Sequence, residues 1–355
     1  MDNYHIPVEA RPTARLRGKS WLAPRSSSTV RRAIAGLAVV TALLFQSTGW
    51  FLSSASAVTG RASSAQTAHV ANPAPLVPFS ASPRPGEGTW RGVGRPVKGQ
   101  SAVLETTLQA PGSTAVVGIA WMNTQLLHAE LYSGSISPGG LDWKLTAPVE
   151  PMAAKTLVAA FNGGFQMSTT EGGYYSEGKY VAPLRTGAAS LVIYKSGLAT
   201  VGMWGRDATM GKNVIAVRQN LNMLVDGGHP TPLAFSADWL AWGPTCGVSS
   251  CSGTGLENQW RSGLGVTSSG ALVYIAGPSL SPIQLADLLV RAGSVRAMEL
   301  DINPFWPIFA TFSPPSATGL ASAANGTDLL SGMSGGPVRF FSASWARDFI
   351  ALFAR

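Results

Sequence analysis

Residues 295–306 read Val-Arg-Ala-Met-Glu-Leu-Asp-Ile-Asn-Pro-Phe-Trp, a strand-like run that ends in a polar turn. Side chains alternate across a strand. Glu299 and Asp301 are therefore expected on one face, with Cα atoms roughly 6.5 Å apart at ~3.3 Å of rise per residue. Two carboxylates on an otherwise apolar strand are costly to bury unless something pairs with them. Either a site supplies those partners, or this is a solvated strand end.

Other polar strand ends form a series with it. Asn162-Gly163-Gly164 follows a short apolar run; paired glycines there allow positive φ and close backbone approach to a ligand, or simply a tight turn. Arg218 lies in Val217-Arg218-Gln219-Asn220. Asp226-Gly227-Gly228 follows Leu224-Val225 and is also a common hairpin turn. Arg261 begins Arg261-Ser262-Gly263-Leu264-Gly265, where glycines on the same strand face leave open space beside a guanidinium. The plain alternative is a surface arginine at a strand start.

The elements that must position these residues are mostly strands. Ala115–Trp121 and Leu126–Leu131 read as neighbours joined by a turn at Asn123. Thr156–Phe161 stops at the Asn162 turn. Ala189–Tyr194 and Ala199–Gly202 flank a glycine-containing hairpin loop, as do Gly263–Thr267 and Ala271–Ala276. The clearest helix starts after Ser281, a good N-cap, with Pro282 at N1 and Gly293 at C′. Ile283, Ala286, Leu289 and Val290 give it an apolar stripe, and it delivers the chain into the strand over 295–301. The expected class is α+β: a strand-rich mixed sheet with few helices, preceded by one N-terminal membrane segment and a disordered linker.

Four regions are expected along the chain. Residues 1–32 are a basic cytoplasmic leader, with Arg11, Arg15, Arg17, Lys19, Arg25, Arg31 and Arg32 against only Asp2 and Glu9. Residues 33–57 carry no charge and are long enough to span a bilayer if the weaker second half is included. Basic residues before such a run place the N-terminus in the cytoplasm and the remainder outside it. Ala55-Ser56-Ala57 also fits a signal-peptidase site. The segment is thus a signal-anchor, which keeps the protein at the membrane, or a signal peptide, which frees it after Ala57. Residues 58–85 are rich in Ala, Ser and Pro and read as a flexible tether. Residues 86–355 are long enough for one large domain with a substantial core. Much of the formal net charge of +8 sits in the leader, so no nucleic-acid partner is implied. Cys246 and Cys251, four residues apart in an exported chain, predict a small disulfide loop. The four histidines, His5, His69, His128 and His229, are scattered and form no strong metal motif.

Order and spacing make the series more specific than its parts. Ala159-Ala160-Phe161-Asn162-Gly163-Gly164-Phe165, Leu224-Val225-Asp226-Gly227-Gly228, Arg261-Ser262-Gly263-Leu264-Gly265-Val266, the helix over 284–293 and Met298-Glu299-Leu300-Asp301 resemble the phosphodiester glycosidase (uncovering-enzyme-like) domain family. The resemblance spans roughly 86–355. It is closest to an actinobacterial membrane-tethered branch, with Gly86-Glu87-Gly88-Thr89-Trp90 near the start and Trp345-Ala346-Arg347-Asp348-Phe349 near the end. One departure stands out. Where the family usually has Leu-Asp-Gly-Gly-Gly-Ser, this chain has Leu300-Asp301-Ile302-Asn303-Pro304-Phe305, without the glycine turn.

The resemblance implies an exported envelope hydrolase that cleaves a sugar-1-phosphodiester in cell-surface glycans. Such chemistry needs a cation near the phosphate, a carboxylate near the developing oxocarbenium charge and a base for water. Arg261 is the first candidate cation, since a guanidinium grips two phosphate oxygens, and Arg218 the second. Asp301 and Glu299 are the candidate carboxylates. Asp226 is a third, or orients Arg261. Asn162, Gly163, Gly164, Arg218, Gly227, Gly228 and Asn303 are substrate-binding candidates. No cofactor is required, although Asp226, Asp301 and Asn303 offer oxygen ligands for calcium or magnesium. The alternative is a non-catalytic glycan-binding or envelope-assembly protein with a degenerate site. The lost glycine turn and the sugar-compatible rings of Phe305 and Trp306 speak for it. Partners are an envelope polysaccharide and, through the N-terminal segment, the membrane.

Overall fold

Long apolar runs in this chain become strands buried on both faces. Phe349–Ala354 and Leu157–Asn162 are almost wholly apolar and almost wholly buried, the pattern of strands packed between two layers. They lie side by side in a five-stranded sheet whose order is Gly326–Asp328, Phe309–Phe312, Leu157–Asn162, Phe349–Ala354, Leu127–Tyr132. A second five-stranded sheet runs Lys179–Ala182, Tyr174–Ser176, Val214–Gln219, Ala189–Tyr194, Ala199–Met203. The largest sheet has eight strands, among them the neighbours Val116–Met122, Leu272–Leu280, Gln259–Thr267, Ser294–Ile302 and Met223–Asp226. The computed structural model describes residues 70–140, 142–168, 170–235, 239–243, 259–344 and 347–355, all within one compact unit over 63–355.

The strand-rich character is as expected, but the mixed sheet is not. Every strand pair within the three sheets is antiparallel. Short hairpin loops such as Ser268-Ser269-Gly270 account for some of these pairs, whereas others, such as Leu157–Asn162 with Phe349–Ala354, join distant stretches of the chain. The one long helix, Pro282–Arg291, is a crossover between two strands that run in the same direction without being paired to each other. It joins Leu272–Leu280 to Ser294–Ile302, which flank Gln259–Thr267 on either side.

One face of the eight-stranded sheet packs against both smaller sheets. Met122, Leu264, Met298 and Leu300 meet Leu191, Val201 and Ala216 from one and Phe161, Phe309 and Ile350 from the other in a single buried cluster. The opposite face is covered by the helix through Leu285, Leu288 and Leu289 and by the N-terminal segment through Val70, Leu76 and Phe79. Residues 70–85, placed above in the tether, lie against this body. Leu76 N–H donates to Gly88 O (2.9 Å), Trp90 Nε1 donates to Ala74 O (2.8 Å), and the Arg291 guanidinium stacks on Phe79 (4.0 Å to the ring centre). The leader, the apolar run and both cysteines lie outside the described residues. Among the described residues no helix is long and apolar enough to cross a membrane.

The helix forms as its ends dictate. Ser281 Oγ accepts from Gln284 N, while Gln284 Oε1 accepts from Ser281 N (2.9 Å), a reciprocal cap that satisfies two orphan donors. Gly293 turns the chain at φ 87°, where a side chain is strained. Replacing Ser281 by Ala is expected to destabilise the protein by about 1 kcal/mol, read as a lowered urea midpoint at unchanged m-value. Unaltered stability would show that the cap contributes nothing.

Candidate active site

The central strand carries the decisive irregularity. Ser294–Ile302 pairs with Gln259–Thr267 so that Gly263 faces Glu299, yet its neighbour Ser262 faces Asp301. One extra residue, Leu300, is taken up between them as a β-bulge, and the two-residue alternation breaks there. Glu299 and Asp301 therefore point to opposite faces of the sheet, not to one. Asn220 holds the bulge: its Nδ2 donates to the carbonyls of both Glu299 and Leu300, the latter at 3.1 Å.

Glu299 faces the helix side. A side chain at Gly263, two residues from Arg261 on the same strand, would meet Leu285 and Leu289 of the helix. The bare glycine leaves the space expected beside Arg261. Arg261 Nη1 donates to Glu299 Oε1 at 2.5 Å and Nε to Leu280 O at 2.7 Å. Both side chains are wholly buried. Burial pushes the Glu299 carboxyl up to about 6, against the pull of Arg261. This is a buried ion pair inside an apolar layer.

Asp301 faces the interior between the sheets and meets a different arginine. Arg347 Nη1 donates to Asp301 Oδ2. The other oxygen, Oδ1, accepts from Ile302 N (2.9 Å) and Asn303 Nδ2 (2.5 Å). Beside this pair lies a second one, Arg218 Nε to Asp348 Oδ2 at 2.8 Å, with both side chains fully buried. Arg218 is further tied to Gln219 O (2.8 Å) and Phe165 O. Burial raises the Asp301 carboxyl to about 6, while Arg347 and Arg218 pull it down. Arg347 keeps 13 % of its side chain exposed and stacks on Trp306 at 4.2 Å from the ring centre.

Asn162 joins the same cluster. Its Nδ2 donates to Ser262 Oγ (3.1 Å), and its Oδ1 accepts from Tyr274 OH (2.8 Å) and Ile308 N (3.2 Å). Burial pushes the Tyr274 phenol far up, so its hydroxyl remains a donor. Gly163 and Gly164 are required by close approach and not by positive φ. A Cβ at Gly163 would sit 2.1 Å from Asp348 Oδ2, and one at Gly164 3.1 Å from Arg218 Cζ.

The structure thus gathers Asn162, Gly163, Gly164, Arg218, Asp301 and Asn303, and sends Arg261 and Glu299 to the other face. Asp226 lies elsewhere again. Val225 pairs with Ala297, and Asp226 with His229 across a hairpin whose Gly227 and Gly228 both have positive φ (58° and 81°). That places Asp226 roughly 16 Å from Asp301, five residues along the strand at ~3.3 Å each. Its carboxylate is bound by Arg206 at 2.7 Å through both oxygens. Asp226, Asp301 and Asn303 therefore cannot share one cation, and Asp226 does not orient Arg261. Among the described residues no three His, Cys, Asp or Glu side chains are grouped as a metal site.

Arg347 and Asp348 are the site residues that the sequence reading passed over. The signal was available: a charged pair immediately before the uniformly apolar Phe349–Ala354. Trp306 packs against the guanidinium groups of Arg347 and Arg339, 4.2 and 5.0 Å from the ring centre, and Phe305 is 62 % exposed.

Comparison with protein-family models and with curated proteins finds no match. Among solved structures the chain is similar to the catalytic domain of zebrafish N-acetylglucosamine-1-phosphodiester alpha-N-acetylglucosaminidase, auto-inhibited by its pro-peptide. Identity is 13 % and TM-score 0.41, over 75 % of this chain and 89 % of that one. It is also similar to a hypothetical protein from Synechocystis (12 %, TM-score 0.39, 75 % of this chain and 64 % of that one). A third likeness is to a protein described as exported from Burkholderia pseudomallei (14 %, TM-score 0.36, 69 % and 75 %).

Two predictions separate the faces. Arg261→Met strands a buried carboxylate and is expected to cost about 3–5 kcal/mol of stability, whereas loss of a purely functional arginine would leave the denaturation midpoint in place. The second concerns pH. Glu299 and Asp301 hold their protons more tightly folded than unfolded, with folded values of about 6 against ordinary values of 4.5 and 3.8. Their contribution to stability is present below the ordinary values and lost as pH rises through about 6. Urea unfolding from pH 4 to 8 should show that decline, and Asp301→Asn should flatten it. A slope untouched by the substitution would exclude the raised value for Asp301.

Proposed function

We propose that this chain is an exported envelope hydrolase that cleaves a sugar-1-phosphodiester in surface glycans, with Asp301 and Arg347 at its reacting centre. The observation that carries the reading is convergence. The Asn162 turn, Arg218, Asp301 and the Arg347-Asp348 pair come from four distant stretches and all three sheets, and meet in one charged cluster at strand ends. The family-matched residues Asn162 and Asp301 belong to it.

The roles are revised accordingly. Arg347, not Arg261, is the cation that meets the phosphate, because it alone of the two keeps an exposed edge. At rest it is tied to Asp301. A substrate phosphate competes for the guanidinium and releases the carboxylate toward the anomeric carbon. Water then attacks that carbon, the bond from carbon to phosphate oxygen breaks, and its electron pair leaves with the phosphate monoester. The carboxylate steadies the positive charge and takes the proton of water. The leaving group is a stable anion, so little acid help is needed. Arg218, Asp348 and Asn162 hold the cluster in place, and Arg261–Glu299 belongs to the scaffold. The basic leader and uncharged segment before residue 58 support an extracytoplasmic site, tethered to the membrane or released after Ala57.

One observation favours a glycan-binding role without catalysis: both oxygens of Asp301 are already occupied, and Asn303 accepts from Phe305 N and Trp306 N (both 2.9 Å), closing the turn where the family has glycines. The two readings part on activity. Asp301→Asn and Arg347→Ala are each expected to reduce hydrolysis of N-acetylglucosamine 1-(methyl phosphate) by about 10²-fold or more, with ¹⁸O from labelled water recovered on the sugar. Label on phosphate would make the protein a phosphodiesterase. Wild-type protein that binds envelope glycan yet cleaves no glycosyl phosphodiester would establish the binding role.

A further inference from the structure

We infer that the outer face of the second sheet carries a saccharide-binding groove between Tyr180 and Trp204, separate from the centre proposed above and independent of whether that centre hydrolyses. Tyr180 and Tyr175 are direct cross-strand partners on Lys179–Ala182 and Tyr174–Ser176. Their rings pack with centres 4.7 Å apart and planes tilted by 45°. The row continues across the sheet, since Tyr175 faces Val217 and Val217 faces Val192. Trp204, Val192, Val214 and Val217 are buried together, with Tyr175, Leu184, Tyr194 and Ala208 packed against them.

This face departs from the usual pattern. The outward face of an antiparallel sheet is normally polar where it meets water. Here the valines are covered, but the aromatic end is left open. Tyr180 is 55 % and Met210 40 % exposed. With Pro183, Leu184 and Trp204 they line one groove of about 410 Å³. Two successive residues show its separation from the charged cluster. Arg218 turns inward to Asp348, while Val217 packs in the outer cluster.

The lining selects the ligand. None of its five side chains is charged. The cations that flank it in sequence are engaged elsewhere, Lys179 on Asp142 O and the Trp143 ring, Arg185 on Glu171. A charged ligand therefore gains little here. Five lining residues are far fewer than the roughly 20–30 a side of a stable protein interface, whereas the volume falls in the small-ligand range of roughly 300–1,000 Å³. A pyranose has an apolar C–H face and a rim of hydroxyls. Tyrosine matches both, with a flat ring for the first and a phenol oxygen that donates and accepts for the second. Tyr175 packs against Tyr180 and restrains its ring, so less side-chain freedom is lost on binding. The occupant is a neutral stretch of envelope polysaccharide, and the groove is a tethering subsite in which no bond is made or broken.

The test titrates the full chain with N,N′,N″-triacetylchitotriose by calorimetry and saturation-transfer NMR, and cosediments it with insoluble peptidoglycan. Tyr180→Ala is expected to weaken saccharide binding by about three- to tenfold, the scale for losing one stacked aromatic contact. The melting temperature should stay nearly constant, because the residue is more than half exposed. Tyr180→Phe keeps the ring, should retain most of the affinity, and serves if Tyr180→Ala does not fold. Saccharide binding that ignores Tyr180→Ala overturns the groove, as does wild type that binds neither the trisaccharide nor peptidoglycan. A monomer–dimer equilibrium abolished by Tyr180→Ala, without saccharide binding, gives the face to a second copy of the chain and overturns it too. Hydrolysis of N-acetylglucosamine 1-(methyl phosphate) should be untouched by Tyr180→Ala, so the groove and the hydrolase reading stand or fall separately.

Discussion

A single inserted residue, Leu300, sets the electrostatics of this molecule. Without the bulge, Glu299 and Asp301 would share one face at strand spacing, and their mutual repulsion would fall in one low-dielectric layer. With it, each acid has its own arginine on its own side of the sheet. The bulge is not a property of the strand alone. Asn220 arrives from beyond the strand Val214–Gln219 and satisfies the two carbonyls that the irregularity exposes. An unpaired buried carbonyl costs as much as a lost hydrogen bond, so the register of the central strand and the position of the second sheet are set together.

The division has an energetic logic. Buried ion pairs seldom stabilise a fold relative to apolar residues of the same size, because desolvation offsets the attraction. Arg261–Glu299 therefore belongs to the specification of the packed face, where one carboxylate and one guanidinium can meet in only one register. The interior cluster is different. It contains two adjacent pairs, an asparagine with both ends engaged, and one arginine at the edge of solvent. That exposed edge is why the proposed reacting centre is placed with Asp301 and not with Glu299.

Much of the architecture was legible in the residues. The capped helix, the hairpins at Gly197 and Gly270 and the strands around Ala189–Tyr194 follow from local signals that tertiary packing did not override. The faces of the central strand were not legible, because Met298-Glu299-Leu300-Asp301-Ile302 alternates apolar and charged without a break. The extra residue is dictated by a side chain far away in sequence. Asp226-Gly227-Gly228 shows the reverse case: a motif matched in order, whose geometry is that of a hairpin end with its acid tied to Arg206. Residues 70–85 read as tether by composition. Their few large apolar groups, Val70, Leu76 and Phe79, suffice to seat them, since such segments order wherever a complementary apolar face is available. The Arg347-Asp348 pair was visible, but its importance lay in which strands flank it.

That placement bears on how the protein matures. Phe349 lies in register between Asn162 and Tyr132, so the strand that brings Arg347 and Asp348 fills a slot between two much earlier strands. A chain emerging N-terminus first holds Arg218, Asn162 and Asp301 for a long interval before their partners arrive. Throughout that interval Leu157–Asn162 and Leu127–Tyr132 each present an open edge, and Arg218 has no carboxylate to follow it into the interior. Charge neutralisation and closure of that sheet then depend on the same stretch of chain. Any activity proposed for the cluster would therefore require Phe349–Ala354 to be in place.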